Sequence, residues 1–373
     1  MAAPLPSRSR VLVLGSGNFG CCLADHLADS EHDVVLWSRN AEAVKSLNET
    51  HKHPHYLKGH TFPESIKAIG PQLPDSETLS SADVILFAIP TPGLRAILKE
   101  INNRWDPSSL PLIIFVNKGI EVGTKALTLE IIADTCGAEV AKVATFLSGP
   151  SFATEIINRQ PTNVSVVSLS LQHAQRAAAV FHQPWFRCYA GNDPIGVQLA
   201  GALKNVYALA VGAASGLGYE NNTRAGLITR SLAEMTRIGA AYGASPLTFL
   251  TLAGVGDLFL TCSSPTSRNY TVGYRLGKGE ALKDILNTLG SVAEGVSTAE
   301  AVYEIVQDFG VHAPIATAVY EVLYRGVPLA DMAQNLMSQP LANQEMDLPG
   351  RAGGPVEKLM NKLGLSLANA TAA

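Results

Sequence analysis

The sequence is poor in cysteine, in charge and in aromatic side chains. Its five cysteines form no CxxC pair and their number is odd, which argues against a disulfide framework and favours a reducing, cytoplasmic location. Charged residues make up only 16%, the net charge is -4, and the basic residues are scattered along the chain. A nucleic-acid-binding protein would carry a basic patch, so we expect no nucleic-acid partner.

The sequence also shows neither the pattern expected of a signal peptide nor that expected of a membrane-spanning helix. The start, MAAPLPSRSR, leads into VLVLG without the apolar stretch of a signal peptide. The longest apolar stretch, 195–218, contains Lys204 followed by Asn205, and a lysine at the bilayer centre costs about 2.5–3.5 kcal/mol. We therefore expect no membrane association.

A histidine-rich stretch, THKHPHYLKGH at 50–60, has a superficial likeness to a metal site. It contains Pro54 and has no cysteine or pair of acids nearby to complete a ligand set. The sequence therefore predicts a solvated loop here and no metal.

The N-terminal stretch combines a strand, a glycine-rich turn and a helix. An apolar run at 10–14 is followed by Gly15-Ser-Gly17-Asn-Phe-Gly20, then by a segment of helical spacing, then by a second apolar run at 33–37. In this setting GxGxxG predicts a dinucleotide-binding turn. Gly17 lets the backbone approach a pyrophosphate, and the helix N-terminus supplies amide donors to it.

The end of the second predicted strand indicates which dinucleotide binds. Enzymes strict for NAD place Asp or Glu there to hold the ribose hydroxyls, whereas this chain has Ser38 and Arg39. An arginine suits a 2′-phosphate, so the sequence predicts use of NADPH, with NADH also accepted. The alternative is that Arg39 is an ordinary surface residue.

Further apolar runs alternate with helical segments, as a doubly wound sheet requires. They are predicted as strands at 84–89, 112–116, 143–147, 163–169 and 186–189. Ligands of such sheets bind beyond the carboxyl ends of the strands, where the sequence has PTP, NKG and SGPSF. This placement makes Lys118 a candidate for the reaction centre, and Ser151 is predicted to open a helix that faces an anion. A solvated loop lysine is the alternative for Lys118.

After residue 191 the pattern becomes helical, with helices predicted from 194, 221, 246, 280, 298 and 314. Lys204 lies among small and apolar helix neighbours, where an ammonium group is costly. It is either a lysine whose stem lies along a core helix or a lysine with a lowered pKa used as an acid or base. The Arg268-Asn269 pair suits a phosphate, because guanidinium offers two parallel donors; a surface ion pair is the alternative.

These patterns predict an α/β N-terminal Rossmann domain with a doubly wound, mostly parallel sheet at 1–191. An all-α domain for substrate binding and dimerisation follows at 192–346, and a loosely ordered tail at 347–373.

Eight stretches together resemble the soluble NAD(P)-dependent glycerol-3-phosphate dehydrogenases. They occur in that family's order over about residues 10–330: GSGNFG, IPT, NKG, SGPSFA, GVQLAGALKNV, NTRAGLITRSLAEM, LAGVGDLFLTCSSPTSRN and VAEGVSTAE. The resemblance implies reversible hydride transfer between sn-glycerol 3-phosphate and NAD or NADP, giving dihydroxyacetone phosphate, in a homodimer.

The resemblance also implies roles for individual residues. Lys204 matches the proton acceptor, with Lys118 and Asp257 beside it in the catalytic set. The positions that match cofactor-binding residues are Gly15, Ser16, Gly17, Asn18, Phe19, Gly20, Arg39, Pro90, Lys118, Ala153, Arg268, Val292 and Glu294. Those that match substrate-binding residues are Lys118, Gly149, Ser151, Lys204, Asn205, Asp257, Thr261, Ser267, Arg268 and Asn269.

Two alternatives stay open at the level of sequence. One is a related reductase of another small acid, such as a 6-phosphogluconate or ketopantoate enzyme. The other is a non-catalytic NADPH-binding regulator on the same scaffold, which would not require Lys118, Lys204 and Asp257.

Overall fold

The computed structural model describes residues 8–106, 109–290, 292–338, 359 and 361–364. The chain divides into two compact units. The first comprises the described residues of Met1–Asn117, Leu129–Pro194 and Lys362–Ala373, and the second those of Lys118–Thr128 and Ile195–Asn361. The predicted domain boundary at 191/192 lies close to Pro194. The segment Lys118–Thr128, which the sequence assigned to the first domain, instead groups with the second unit.

The first unit is built on a sheet that has eight strands in the described part of the chain. They are β1 Arg10–Leu14, β2 Asp33–Trp37, β3 Lys67–Ile69, β4 Val84–Phe87, β5 Leu112–Phe115, β6 Thr145–Ser148, β7 Thr162–Ser168 and β8 Phe186–Gly191. Their order is β3-β2-β1-β4-β5-β6-β7-β8. Strands β1 to β6 are parallel, β7 is antiparallel to β6, and β8 is parallel to β7. The predicted doubly wound, mostly parallel sheet is confirmed.

Eight helices accompany the sheet among the described residues. They are α1 Asn18–Asp29, α2 Ala41–Thr50, α3 Ser76–Ser80, α4 Thr91–Asn102, α5 Thr128–Cys136, α6 Ala138–Val143, α7 Ala153–Ile157 and α8 Leu171–Phe181. The central strands β4 and β5 are buried along their whole length, which explains why their sequences are continuous apolar runs and do not alternate. Phe87 and Phe115 stack across them with ring centroids 4.6 Å apart.

Several predicted boundaries differ from the structure. Strand β3 was not predicted, because three residues are too few to show a period of two. Val143 ends helix α6, so the strand predicted from that residue begins at Thr145. Ser151 does not open a helix: the short α7 begins at Ala153, and the Ser151 hydroxyl donates to the carbonyl oxygen of Gly149 at 2.8 Å.

The second unit is helical, as predicted. Its helices are α9 Pro194–Gly216, α10 Asn221–Ala241, α11 Asp257–Ser263, α12 Arg268–Gly277, α13 Leu282–Thr288, α14 Glu294–Phe309, α15 Pro314–Arg325 and α16 Leu329–Met337. A 3₁₀ helix at Pro246–Leu250 and a π-helical turn at Leu252–Gly256 precede α11. The segment predicted as a helix from 246 is therefore irregular.

Helix α9 is the central helix of this unit. It is long and apolar enough to cross a membrane, yet 94% of its most apolar window is buried inside the protein, as in a core helix. Glycines on both helices bring α9 very close to α12. A Cβ on Gly212 of α9 would lie 2.1 Å from the carbonyl oxygen of Tyr270, and one on Gly273 of α12 would lie 2.0 Å from that of Leu209. Only glycine permits this backbone contact, which holds the two helices together.

Most of the predicted C-terminal tail, 347–373, lies outside the described residues. Within the described part, Leu359 and Leu363 are buried, four residues apart as on one face of a helix. Lys362 pairs with Asp134 of α5. These few residues are packed, whereas the loosely ordered tail as a whole stays a prediction.

Candidate active site

Two lysines and one aspartate meet in the second unit. Lys204 Nζ lies 2.6 Å from Asp257 Oδ1, and Lys118 Nζ lies 2.7 Å from Asp257 Oδ2. One carboxylate thus bridges two ammonium groups from residues far apart in the sequence. The structure brings together all three residues of the predicted catalytic set.

The secondary structure explains how these groups are held. Lys204 projects from the middle of α9, and Asp257 is the first residue of α11, directly after the π-helical turn. Thr261, one turn further along α11, accepts a hydrogen bond from Lys204 Nζ at 2.8 Å. The same hydroxyl donates to the carbonyl oxygen of Asp257 at 2.6 Å, so its orientation is fixed. Lys204 is therefore held by two oxygens.

Burial and the charges of the neighbouring groups together set the protonation of this cluster. Lys204 is 6% exposed and Asp257 only 1%. Burial lowers the pKa of Lys204 to about 8; Asp257 opposes the shift, and the charge of Lys118 adds to it. Burial alone would raise the pKa of Asp257, but Lys118 and Lys204 bring it below its ordinary value. Asp257 is therefore an anion at neutral pH, and Lys204 can exchange its proton near neutrality.

Asn205 and Asn269 connect the helices around the lysines. Asn269 Nδ2 donates to Asn205 Oδ1 at 2.9 Å, and the backbone amide of Gly295 donates to Asn269 Oδ1 at 3.0 Å. Asn205 Nδ2 in turn donates to the carbonyl oxygens of Lys118, at 3.1 Å, and Gly201, at 3.3 Å. Asn205 is predicted to bind substrate, but the nitrogen and the oxygen of its side-chain amide both form hydrogen bonds within the protein. The contact of Gly295 with Asn269 was not predicted, because Gly295 acts through its backbone amide, which every residue except proline also has.

The start of α12 carries two of the predicted substrate-binding residues, Ser267 and Arg268. Ser267 is its N-cap and accepts from the amide of Tyr270 at 3.2 Å, while Arg268 is the first helical residue and is exposed. In the described part of the chain Arg268 has no hydrogen bond or ion pair to another residue. A free guanidinium at a helix N-terminus is suited to phosphate. Burial raises the pKa of Glu294, at the start of α14, although the charge of Arg268 opposes this.

The glycine-rich turn of the first unit fits a dinucleotide. Gly15 has φ +117°, a conformation that favours glycine, and a Cβ on Gly20 would lie 1.9 Å from the carbonyl oxygen of Gly15. A Cβ on Gly17, in contrast, would meet nothing within 4 Å, so the backbone there is open to a ligand. The amides at the start of α1 are next to it. The residues present therefore fit a pyrophosphate.

The neighbouring end of β2 carries the predicted specificity residue. Ser38 is buried, and its hydroxyl accepts from Ser16 Oγ at 2.6 Å and from the amide of Asn40 at 3.1 Å. The Ser38 hydroxyl thus contacts the glycine-rich turn through its hydrogen bond with Ser16. Arg39 is exposed and, within the described residues, has no hydrogen bond or ion pair, which leaves its guanidinium available to a ligand.

The other predicted positions fall in both units. Pro90 is the exposed N-cap residue of α4, Ala153 begins α7, and Gly149 has φ +144°. Val292 is 57% exposed, just before α14. Pro90, Gly149, Ser151 and Ala153 belong to the first unit with the glycine-rich turn, and Val292 belongs to the second with the lysines. Their roles stay predictions.

Two family models match the chain. The one described as "NAD-dependent glycerol-3-phosphate dehydrogenase N-terminus" covers residues 10–174, and the one for the C-terminus covers 193–334. A "Glycerol-3-phosphate dehydrogenase [NAD(P)+] 1" of Lactobacillus delbrueckii subsp. bulgaricus is 40% identical over 334 residues, 89% of this chain and 98% of its own length. A "Glycerol-3-phosphate dehydrogenase [NAD(P)+]" of Limosilactobacillus reuteri is 39% identical over 90% of this chain and 98% of its own.

A solved structure agrees with these relatives. The glycerol-3-phosphate dehydrogenase of Coxiella burnetii superposes with a TM-score of 0.83 at 31% identity, covering 90% of this chain and 100% of its own. The chain therefore belongs to the NAD-dependent glycerol-3-phosphate dehydrogenase family.

Proposed function

We propose that Lys204 is the general base and acid with which this NAD(P)-dependent glycerol-3-phosphate dehydrogenase acts. The reaction converts sn-glycerol 3-phosphate and NAD(P)+ reversibly into dihydroxyacetone phosphate, NAD(P)H and a proton. The observation that supports Lys204 most is its amine, buried and held on Asp257, with a pKa lowered to about 8. Neither alternative, the regulator or the reductase of another acid, is favoured by the relatives.

The chemistry of the three groups follows from their charges. In oxidation, neutral Lys204 Nζ takes the proton of the C2 hydroxyl, and in reduction the ammonium returns it to the forming alkoxide. Asp257 keeps Nζ in place through its 2.6 Å contact, and Lys118 supplies a positive charge that stabilises a developing alkoxide. Bound NAD(P) supplies the hydride acceptor or donor, and the glycine-rich turn with Arg39 would hold it.

The pH dependence of the two directions tests this proposal. Oxidation needs neutral Lys204, so kcat/KM for glycerol 3-phosphate should rise about tenfold per pH unit and level off above about pH 8. Reduction needs the ammonium form, so kcat/KM for dihydroxyacetone phosphate should fall above that pH. Initial rates from pH 6 to 10 measure both profiles. Identical profiles in the two directions would contradict a single group that gives and takes the proton.

We propose that Arg268 binds the phosphate group of the substrate. Its guanidinium at the start of α12 is exposed and has no hydrogen bond or ion pair with any residue that the structure describes, which supports this role. Arg268→Ala should raise KM for glycerol 3-phosphate by about 10- to 100-fold, the worth of a charged hydrogen-bonded pair, and affect kcat less. Arg275→Ala, at the other end of the same helix, is the matched control and should leave KM within about threefold. An unchanged KM in Arg268→Ala would remove Arg268 from the site.

We propose that Arg39 favours NADPH by contacting its 2′-phosphate. Its exposed guanidinium and the absence of an acid at the end of β2 support this. Arg39→Glu should raise KM for NADPH at least about tenfold more than KM for NADH. The reason is that only NADPH has a 2′-phosphate, which the new carboxylate would repel. Lys45→Glu gives the same change of charge on α2 as a control. Equal effects of Arg39→Glu on both cofactors would contradict the assignment.

We propose further that the protein is a cytoplasmic homodimer. The family resemblance supports the dimer, and the free state of all five cysteines is compatible with a reducing compartment. Light scattering at the exit of a sizing column should give twice the 39.4 kDa of the chain, and a monomer mass at micromolar concentration would contradict the dimer.

A further inference from the structure

The segment Lys118–Thr128 belongs to the second unit, although it follows strand β5 of the first unit in the sequence. Lys118, at its start, makes two contacts with that unit. Its Nζ lies 2.7 Å from Asp257 Oδ2, and its carbonyl oxygen accepts from Asn205 Nδ2 at 3.1 Å. The position of the Lys118 ammonium therefore depends on how the rest of this segment is attached to the second unit.

The turn in the middle of the segment carries a second lysine, which contacts helix α14. The amide of Glu121 donates to the carbonyl oxygen of Ala126 at 3.0 Å, and the amide of Lys125 donates to that of Glu121 at 2.9 Å. From this turn Lys125 Nζ reaches Asp308 Oδ2 at 2.5 Å and Glu304 Oε2 at 3.9 Å. The two acids are four residues apart and lie on one face of α14, so the helix offers the segment a pair of negative charges.

The backbone at Lys125 makes the presence of a lysine informative. Lys125 has φ +58°, a left-handed conformation that favours glycine. Glycine would form this turn more easily, but it could not reach α14. The hydrogen bond with Asp308 raises the pKa of Lys125, so its side chain is a cation that pairs with the helix throughout the pH range of an enzyme assay.

Apolar side chains also attach the segment to the protein. Ile120 and Leu127, on either side of the turn, are 4% and 1% exposed. Burial of apolar groups is non-directional, whereas an ion pair sets a distance between two atoms. The contact of Lys125 with Asp308 therefore adds the directional attachment of the turn.

We propose that Lys125 is a positioning residue for the reaction: its ion pair with Asp308 keeps the segment seated so that Lys118 stays in place. Lys125 itself touches neither of the residues to which Lys118 is attached. It acts through the segment, by limiting the positions that the Lys118 ammonium can take relative to Asp257.

A displaced Lys118 would change the surroundings of Lys204. This step rests on the proposed acid–base role of Lys204, whose charged and titratable neighbours include Asp257, Lys118 and Cys262. If Lys118 moved away, a positive charge would be lost and Asp257 would be left to Lys204 alone. Both changes favour the charged form of Lys204 and raise its pKa. A purely structural role of Lys125 would not have this consequence.

Charge reversal with rescue tests this role. Lys125→Glu would place a like charge opposite Asp308 and Glu304. We expect kcat/KM for glycerol 3-phosphate to fall about 3- to 10-fold, the worth of losing an exposed ion pair and gaining a repulsion. The pH at which oxidation levels off should move up from about 8 by about 0.5 unit or more. Adding Asp308→Lys restores an ion pair with its charges exchanged, and it should recover most of the rate and the original profile.

Lys142→Glu is the matched control. Lys142 forms an ion pair with Glu139 on α6, in the first unit, and its side chain is 32% exposed, against 31% for Lys125. The control should keep both the rate and the pH profile of the original chain. Hydrogen exchange of the peptide 118–128, which needs no turnover, should be faster in Lys125→Glu and normal in the double variant.

An unchanged pH profile or unchanged exchange in folded Lys125→Glu would overturn the proposal. So would a loss that Asp308→Lys does not restore, because the effect would then not come from the ion pair. A failure of the proposed function would look different: the original chain itself would show no levelling off near pH 8. The exchange measurement would then still decide whether Lys125 holds the segment.

Discussion

Lys204→Met should abolish most turnover and leave the fold and the cofactor affinity intact. Methionine matches the length of the lysine stem and packs well in the buried surroundings of α9, but it cannot exchange a proton. The expected loss in kcat is about 10²–10⁴, the usual worth of general acid–base catalysis. Steady-state rates in both directions, with cofactor binding measured by fluorescence, check this result.

Two companion variants sharpen the test of Lys204. Lys204→Arg keeps the positive charge but cannot act as a base near neutral pH, so it should be as inactive as the methionine variant. Lys283→Met, an exposed position on α13, removes a lysine from the same unit and should retain normal kcat. Near-normal turnover in Lys204→Met would show that another group moves the proton.

Asp257→Asn should have the second-largest effect, because its carboxylate pairs with two ammonium groups at once. With an amide in its place, Lys118 and Lys204 would be left as neighbouring like charges, and the pKa of Lys204 would fall below about 8. We expect kcat/KM to fall by about 10²-fold or more, since Nζ loses its anchor. The pH at which oxidation levels off should move to lower values.

The same substitution should also destabilise the fold. Removing one partner of a buried ion pair costs about 3–5 kcal/mol, because the remaining charge has no compensation. Thermal unfolding measures this cost, and Asp284→Asn, at an exposed position of α13, is the control. An Asp257→Asn protein with normal stability and a profile that still levels off near pH 8 would contradict the role given to the carboxylate.

The sequence was informative where the signal is local. The burial of β4 and β5 requires continuous apolar runs, and the tight turn at Gly15 with the contact at Gly20 requires glycines at fixed spacing, so the Rossmann domain could be predicted from pattern alone. The sequence pattern did not predict elements that are short or irregular. The three residues of β3 and the π-helical turn before Asp257 lack a repeating period.

The amino-acid pattern alone predicts a nucleotide-binding sheet followed by helices, and it identifies Lys204 as a charge in apolar surroundings. Which groups surround that charge follows only from how the chain folds. Asp257 is 53 residues from Lys204 and 139 from Lys118, and no local pattern reports such a pairing. The protein's packing likewise decided that Asn205 is used internally and that His53, in a stretch predicted as a solvated loop, is buried. The physical reason is that periodicity reflects which face of an element is buried, whereas partners across the chain are chosen by packing and by the need to satisfy buried polar groups.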